Sequence, residues 1–403
     1  PISPAPPPSH PSLPFVPFPP RAVSRRPNVV ARPRVRRRRV SLVMGCASSA
    51  ADASDASSKP LPTSARASTA SSSAAPASVS YQVRLRGGPL SQDDYNARLS
   101  GVVGARSASV RFTSDAGGSQ SYVVRYATCS QRGYYPEAPE KMNQDAYVAT
   151  SRFRERDDEH LFGVFDGHGE FGTECAGFAA ERVPMELASR EFGNVEAYEE
   201  AFRATNAALR ASEIDDSLSG TTGVIAHVKG REVCVVNVGD SRATMGINKR
   251  NDAGEVVGID TVDLSSDQTP FRPDECERVK EAGARVLTLD QLEGFKDPAV
   301  QCWGTEQDDD GDPPRLWAKN GMYPGTAFTR SIGDGVAECI GVIPKPEVER
   351  IRLNNDTKAI VIASDGVFEF IPSENVIQAA LATSDPQQSA IALVVESYKL
   401  WLQ

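Results

Sequence analysis

The sequence is short of the residues that several kinds of hydrolytic site depend on. Its 403 residues include four histidines, His10, His160, His168 and His227. A zinc hydrolase draws two or three ligands from histidine. His10 lies in a Pro-rich stretch, and His227 in an apolar run where a hydrogen-bonded core residue is the expected role. A zinc hydrolase needing two or three His ligands is therefore hard to build from this sequence. Seven cysteines are scattered without a CxxC pair, and an odd, dispersed set reads as reduced thiols rather than a disulfide framework. None has an arginine six positions later, so the loop in which a thiolate and an arginine share a phosphate is missing. No apolar run is long enough to span a bilayer as a helix. Acidic residues are absent from residues 1–43, which carry nine arginines; the whole chain has net charge −9, so −9 less those nine leaves −18 on the rest. A body this acidic argues against a nucleic-acid-binding domain.

What is present is organised around Leu161–Gly169, LFGVFDGHG. The apolar run Leu161–Phe165 suits a short buried strand. It leads into Asp166-Gly167-His168-Gly169, where glycine permits a sharp turn and close approach to the backbone. Alone, an Asp-Gly after a strand is only a turn signal. The arrangement recurs, however: Val233–Val238 leads into Gly239-Asp240-Ser241-Arg242, and Ile360–Ala363 leads into Ser364-Asp365-Gly366. Three strand ends with an Asp beside a Gly would, on converging, form an oxygen-rich cluster suited to a hard divalent cation.

Along the chain, residues 1–43 are Pro- and Arg-rich and are expected to be disordered, resembling a transit peptide or standing outside the natural protein. Met44-Gly45-Cys46-Ala47-Ser48-Ser49 then fits the N-myristoylation pattern at Gly45, with Cys46 as a palmitoylation candidate, if translation starts at Met44. Residues 44–121 read as this signal followed by an Ala/Ser-rich linker, and residues 122–403 as the folded domain. The predicted elements include a helix after Gly169 ended or kinked by Pro184, and a helix capped by Asn194 with Tyr198, Ala201, Phe202 and Thr205 on one face. Thr221–Val228, Val233–Val238 and Arg242–Ile247 read as one antiparallel meander. Residues 288–326 read as a long irregular loop, its acidic run Asp308–Asp312 a solvated surface. Pro386–Leu402 reads as a final helix. Arg330 and Asp334 read as a structural ion pair.

Taken in order, FGVFDGHG, SGTTGVI, VGDSRA, GTAFTRSIGD and ASDGVFEF resemble the metal-dependent protein Ser/Thr phosphatases of the protein phosphatase 2C family, over about Tyr122 to Gln403. Ser130–Asp145, Arg315–Asp334 and Glu396–Gln403 are similar, more closely, to a plant and algal subgroup in which the phosphatase is fused to cyclic-nucleotide-binding and protein kinase domains. The resemblance implies an α+β four-layer sandwich, two central antiparallel sheets flanked by helices, with a two-metal cleft at one end. It implies Mg²⁺ or Mn²⁺, with Asp166 bridging two ions, Gly167 offering its carbonyl to one and Asp365 binding the other. Asp240 and Glu369 match a third, weaker metal site, with Glu369 standing where the family has Asp. His168 would be the general acid. Asp145 would stand behind the metal ligands, and Gln144 occupies a position where many members have Glu. The usual phosphate-binding arginine has no clear match; Lys141 or Arg132 would take its part. The family also places a further metal-binding Asp and a core strand after the last helix, so the chain is expected to lack its C-terminal strand.

The expected activity is hydrolysis of phosphoserine and phosphothreonine in proteins by a metal-activated water; the alternative is a catalytically weak phosphatase-like scaffold within a larger kinase-containing chain. The expected partners are phosphoproteins and, through acylation, the cytoplasmic face of a membrane.

Overall fold

The computed structural model describes residues 40–49, 84–85, 88–89, 103–113, 119–133, 141–305 and 312–401, with side chains from Ser121 onward. The Pro/Arg-rich segment before Val40, most of the Ala/Ser-rich stretch and Asp308–Gly311 lie outside these residues. The first strands are β1 (Val40–Ser49), β2 (Arg84–Leu85), β3 (Gly88–Pro89), β4 (Val103–Thr113), β5 (Ser119–Gln131), β6 (Asp145–Ser151) and β7 (Glu159–His168). Then come α1 (Gly172–Ala188), α2 (Val195–Arg210), β8 (Gly220–Thr221), β9 (Gly223–Lys229), β10 (Glu232–Val238), β11 (Arg242–Arg250) and β12 (Val256–Asp263). A smaller lobe holds α3 (Pro273–Glu281), β13 (Arg285–Leu287), α4 (Leu289–Leu292), β14 (Arg315–Trp317), β15 (Pro324–Thr326), β16 (Ile332–Gly333) and α5 (Gly335–Glu338). The chain closes with β17 (Glu347–Arg352), β18 (Thr357–Ala363), α6 (Asp365–Phe368), α7 (Ser373–Leu381) and α8 (Pro386–Trp401).

Two antiparallel sheets form the centre. One has the order β16-β8-β7-β9-β10-β17, with β6 also on β7; the other has the order β12-β11-β18-β1-β5-β4. The strand sequences explain the stacking. In β10, Val233 and Val235 point into the gap between the sheets, where they meet Val164, Val224, Leu264 and Ile362. The alternate residues Cys234, Val236 and Val238 face α1 and α2, against Phe165, Ala179, Val183 and Phe202. A strand covered on both faces needs the near-continuous apolar run this one has. On the far side, α7 and α8 lay Val376, Ile377, Ala390 and Leu393 over Val361 and Ala363 of β18. The result is the expected four-layer sandwich of helix, sheet, sheet and helix.

Four expectations change. The meander is broken: β9 and β10 pair within one sheet, but β11 pairs with β12 and β18 in the other. Gly239, at φ +98°, lets the chain turn out of one sheet and into the next. Pro184 lies inside α1, which continues to Ala188, because buried Val183 and Leu187 hold its last turn onto the sheet. The stretch read as signal and linker supplies β4, most of β1 and the first three residues of β5: β4 pairs with β5, and β1 sits between β5 and β18. β1 also reaches back to Val40, inside the segment read as disordered. Residues 288–326 are only partly loop, since they include α4 and the strands β14 and β15, which form a small sheet with the preceding β13. Asn194 caps α2 as expected, its side chain accepting from the Ala197 amide.

Candidate active site

The topology decides where the three Asp-bearing strand ends go. β7 and β10 are each antiparallel to β9, so they run the same way and finish at the same edge of the sheet. β11 starts at that edge, immediately after Asp240. β18 is antiparallel to β11 with Ala363 opposite Arg242, so Asp365, two residues on, is delivered to the same end of the second sheet. Hydroxyls stitch the ends together. The Asp166 amide donates to Thr222 Oγ1 at 3.1 Å, and Thr222 Oγ1 lies 2.7 Å from Ser241 Oγ, next to Asp240. Asp145 stands directly across the ladder from Asp166. Glu369 follows Asp365 by one helical turn, its amide bonded to the Asp365 carbonyl at 2.8 Å, so both carboxylates belong to one helix face. Three strand ends thus deliver Asp166, Asp240 and Asp365 to the same end of the two sheets, although among the described residues the three acids whose ligand oxygens lie within 4.8 Å of one another are Asp274, Glu275 and Glu347.

Gly167 is fixed by its surroundings. Its amide donates to the Gln144 carbonyl at 3.1 Å, and a Cβ there would lie 1.9 Å from the Gly172 carbonyl oxygen. Any side chain would push the strand end away from α1. Gln144 is buried, its Nε2 donating to the Gly169 carbonyl at 2.8 Å. Its Oε1 is buried and accepts no hydrogen bond among the described residues. Arg132 and Lys141 are brought together, Arg132 Nη1 donating to the Lys141 carbonyl at 2.8 Å, beside the Asn143–Ser130 side-chain bond that leads into Gln144.

His168 is held on two sides. Its Nε2 lies 2.7 Å from Asp334 Oδ2, and its ring packs on Phe328 at 4.5 Å between centroids. Asp334 is 2% exposed and also accepts from Ser331 Oγ at 2.6 Å. Its backbone is left-handed, φ 57°, a conformation uncommon outside glycine, and its amide is tied to the Ser219 carbonyl at 2.9 Å. Gly220 makes room for it: a Cβ there would stand 2.2 Å from Asp334 Oδ2. The expected Arg330–Asp334 pair does not form. Arg330 instead binds Glu275 at 2.8 Å and Glu347 at 3.1 Å, anchoring the smaller lobe. Asp334, Ser331, Thr222 and Ser241 were not legible as site residues, although Gly333-Asp334 repeats the Gly-Asp pairing of Gly239-Asp240.

The remaining titratable groups near the site are settled. Cys175, on the buried face of α1, has its thiol pushed up to about 12 by burial and then by the acids Asp334 and Asp216, so it is no thiolate nucleophile. His227 is the core residue expected of it: Nε2 is 2.7 Å from Glu159 and Nδ1 is 3.0 Å from the Tyr198 hydroxyl, and burial lowers its pKa.

Residues 138–398 match the family model described as protein phosphatase 2C. Among curated proteins, "Probable protein phosphatase 2C 35" of Arabidopsis thaliana is 50% identical over 289 residues, 71% of this chain and 81% of that one. "Probable protein phosphatase 2C 72" of the same plant is 32% identical over 270 residues, 64% of this chain and 74% of that one. Among solved structures, a serine-threonine phosphatase 2C from Toxoplasma gondii shares the fold, with a TM-score of 0.51 and 19% identity over 64% of this chain and 84% of that one. A family model spanning well over half the chain, and a half-identical relative, place the chain in the protein phosphatase 2C family, as a protein Ser/Thr phosphatase.

Proposed function

We propose that the strand-end cluster holds the Mg²⁺ or Mn²⁺ on which this family depends. Asp166 would serve two ions, the Gly167 carbonyl one of them and Asp365 the other, with Asp240 and Glu369 forming a weaker third site. The donor chemistry supports this. Every candidate ligand is a carboxylate or carbonyl oxygen, the set preferred by hard divalent ions. The buried Gln144 Oε1, without a donor among the described residues, is a further oxygen facing the same need. Such ions, when bound, neutralise phosphoryl charge and lower the pKa of water.

The chain's own residues then have distinct tasks. Asp145, opposite Asp166, and the Thr222–Ser241 link fix where the Asp166 carboxylate stands. Arg132 and Lys141 supply positive charge for the phosphate dianion. The departing serine or threonine alkoxide is a poor leaving group and needs a proton; His168 supplies it. With Nε2 engaged by Asp334, the proton for the leaving oxygen comes from Nδ1, and Asp334 and Phe328 hold the ring in that orientation. The observation that carries the reading is the His168–Asp334 contact at the edge where three Asp-bearing strands end. The test is His168→Ala assayed on two substrates. A phosphoserine peptide should lose about 10²–10⁴-fold in kcat, the usual worth of general acid catalysis. An activated aryl phosphate, whose oxide leaves unaided, should lose far less. Equal losses would make His168 structural.

The Met44-Gly45-Cys46 pattern supports an acylated form on the cytoplasmic face of a membrane. In the fold Gly45 lies in β1, opposite Ile360 on one side and Tyr126 on the other. A chain starting at Gly45 lacks Val40–Met44, the first half of β1. Gly45→Ala should shift a membrane-bound protein made from Met44 into the soluble fraction; a wild-type protein already soluble contradicts the anchor. The similarity of Ser130–Asp145 and Arg315–Asp334 to the fused subgroup supports a larger chain with cyclic-nucleotide-binding and kinase domains, which the transcript beyond Gln403 tests.

A further inference from the structure

The space between the sheets is no longer wholly apolar at the end of β10. On β10 the inward-facing residues Val233 and Val235 are followed on the same face by Asn237, which is 2% exposed. Its Nδ2 donates to the Gly239 carbonyl at 3.2 Å, while its Oδ1 accepts from no group among the described residues. A buried acceptor without a donor is costly unless something supplies one. Asn237 lines a cavity of about 890 Å³ between β10, β17 and the 263–273 connection. That size is within the range of ligand pockets.

The cavity has a surplus of negative charge. Glu347 and Glu349 of β17 stand across the ladder from Asn237 and Val235, and Asp263 and Asp267 line the same space. Its two cations are already engaged. Arg242 forks onto Asp267 at 3.0 and 2.7 Å. Arg272 binds Glu347 at 2.8 and 2.9 Å and Asp274 at 3.1 and 2.6 Å. Asp263 and Glu349 have no cationic partner among the described residues. Both carboxylates are exposed, so the group left wanting is a donor for the buried Asn237 Oδ1, and the acids around it favour a donor that carries positive charge. A bare metal ion does not suit it. The acids close enough to share one ion among the described residues are Asp274, Glu275 and Glu347, and Arg272, Arg278 and Arg330 already hold these. Val235, Leu264 and Phe271, also on the wall, suit the aliphatic stem of a long basic side chain. Arg242 follows Asp240 by two residues, so the cavity adjoins the strand ends of the active site.

We propose that this cavity is a substrate subsite for a lysine or arginine side chain near the phosphorylated residue, its head group meeting Asn237 Oδ1, Asp263 and Glu349. The proposal rests on the strand-end cluster being the active site. It is tested with phosphoserine peptides in which a single lysine is walked along an otherwise neutral sequence. One offset should raise kcat/KM about tenfold, the size of one charge-assisted hydrogen bond. That preference should vanish in Asp263→Asn/Glu349→Gln and in Asn237→Leu, with aryl phosphate turnover unchanged in the double variant. No preferred offset, or a preference that survives both variants, overturns the subsite. Should no substrate turn over, the active-site reading fails on its own. Calorimetry with the unphosphorylated lysine and alanine peptides still decides the cavity: about tenfold tighter lysine binding, lost in the variants, upholds it, and equal binding overturns it. Spermidine binding that is lost in the variants, without discrimination between the peptides, would assign the cavity to free polyamines and also overturn the subsite.

Discussion

Single residues set the chemistry, and Asp334 acts through the ring it holds. It reaches His168 only because its own backbone is left-handed and because Gly220 has no side chain. Asp334→Asn keeps the shape but removes the charge that orients the ring. It should lower kcat on phosphoserine peptides by about 10²-fold, within the range for general acid catalysis, and spare the aryl phosphate. Combined with His168→Ala it should add almost nothing, because both changes remove one proton donor. Additive losses would separate Asp334 from His168. The sequence made the Asp166, Asp240 and Asp365 ends readable, since each follows an apolar run. It could not show that Asp334 belongs to His168 and Arg330 to Glu275, because both partnerships span long stretches of chain and neither has a local spacing to announce it.

At the scale of elements, the smaller lobe is fastened by charge. Glu275 on α3 is 2% exposed. Burial alone would raise its pKa, but hydrogen bonds from Arg330, Arg278 and Thr329 outweigh burial and hold it at about 2, against an ordinary 4.5. A carboxylate lowered in this way stabilises the fold fully above about pH 4.5 and less as pH falls towards 2, by about 3 kcal/mol in all. Urea unfolding of the wild type should show that loss between these pH values. In Glu275→Gln the slope over this window should be shallower, and an unchanged slope would contradict the assignment. Elements with strong periodicity were readable. α2 and its Asn194 cap, β10 and β18 needed only the apolar pattern. The passage of β11 into the second sheet was not, because Gly239-Asp240 reads equally as a hairpin turn. Nor was β1, whose sequence carries an acylation pattern in place of strand signals.

For the molecule as a whole, β1 joins the two halves of one sheet, because it pairs on both sides. Deleting residues 1–49 should leave β5 and β18 each without a ladder partner on one side, keeping only β4 and β11 respectively. The truncated protein should then be less stable in chemical unfolding than the 403-residue chain; equal stability would show that the sheet does not depend on β1. The four-layer architecture was legible from the order of the motifs and the resemblance they carry. The convergence of three strand ends on one edge needed the register of both sheets, which is why the donor set was readable while the side chains that hold it, Thr222, Ser241 and Asp334, were not. The account's central claim is that this edge is a metal-dependent phosphatase centre. It is tested most directly by stripping the protein with chelator and following phosphate release from a phosphoserine peptide as Mn²⁺ is added back, to wild type and to Asp166→Asn. The account predicts saturable recovery in the wild type and none in Asp166→Asn. Equal recovery in both, or full activity without added metal, would contradict it.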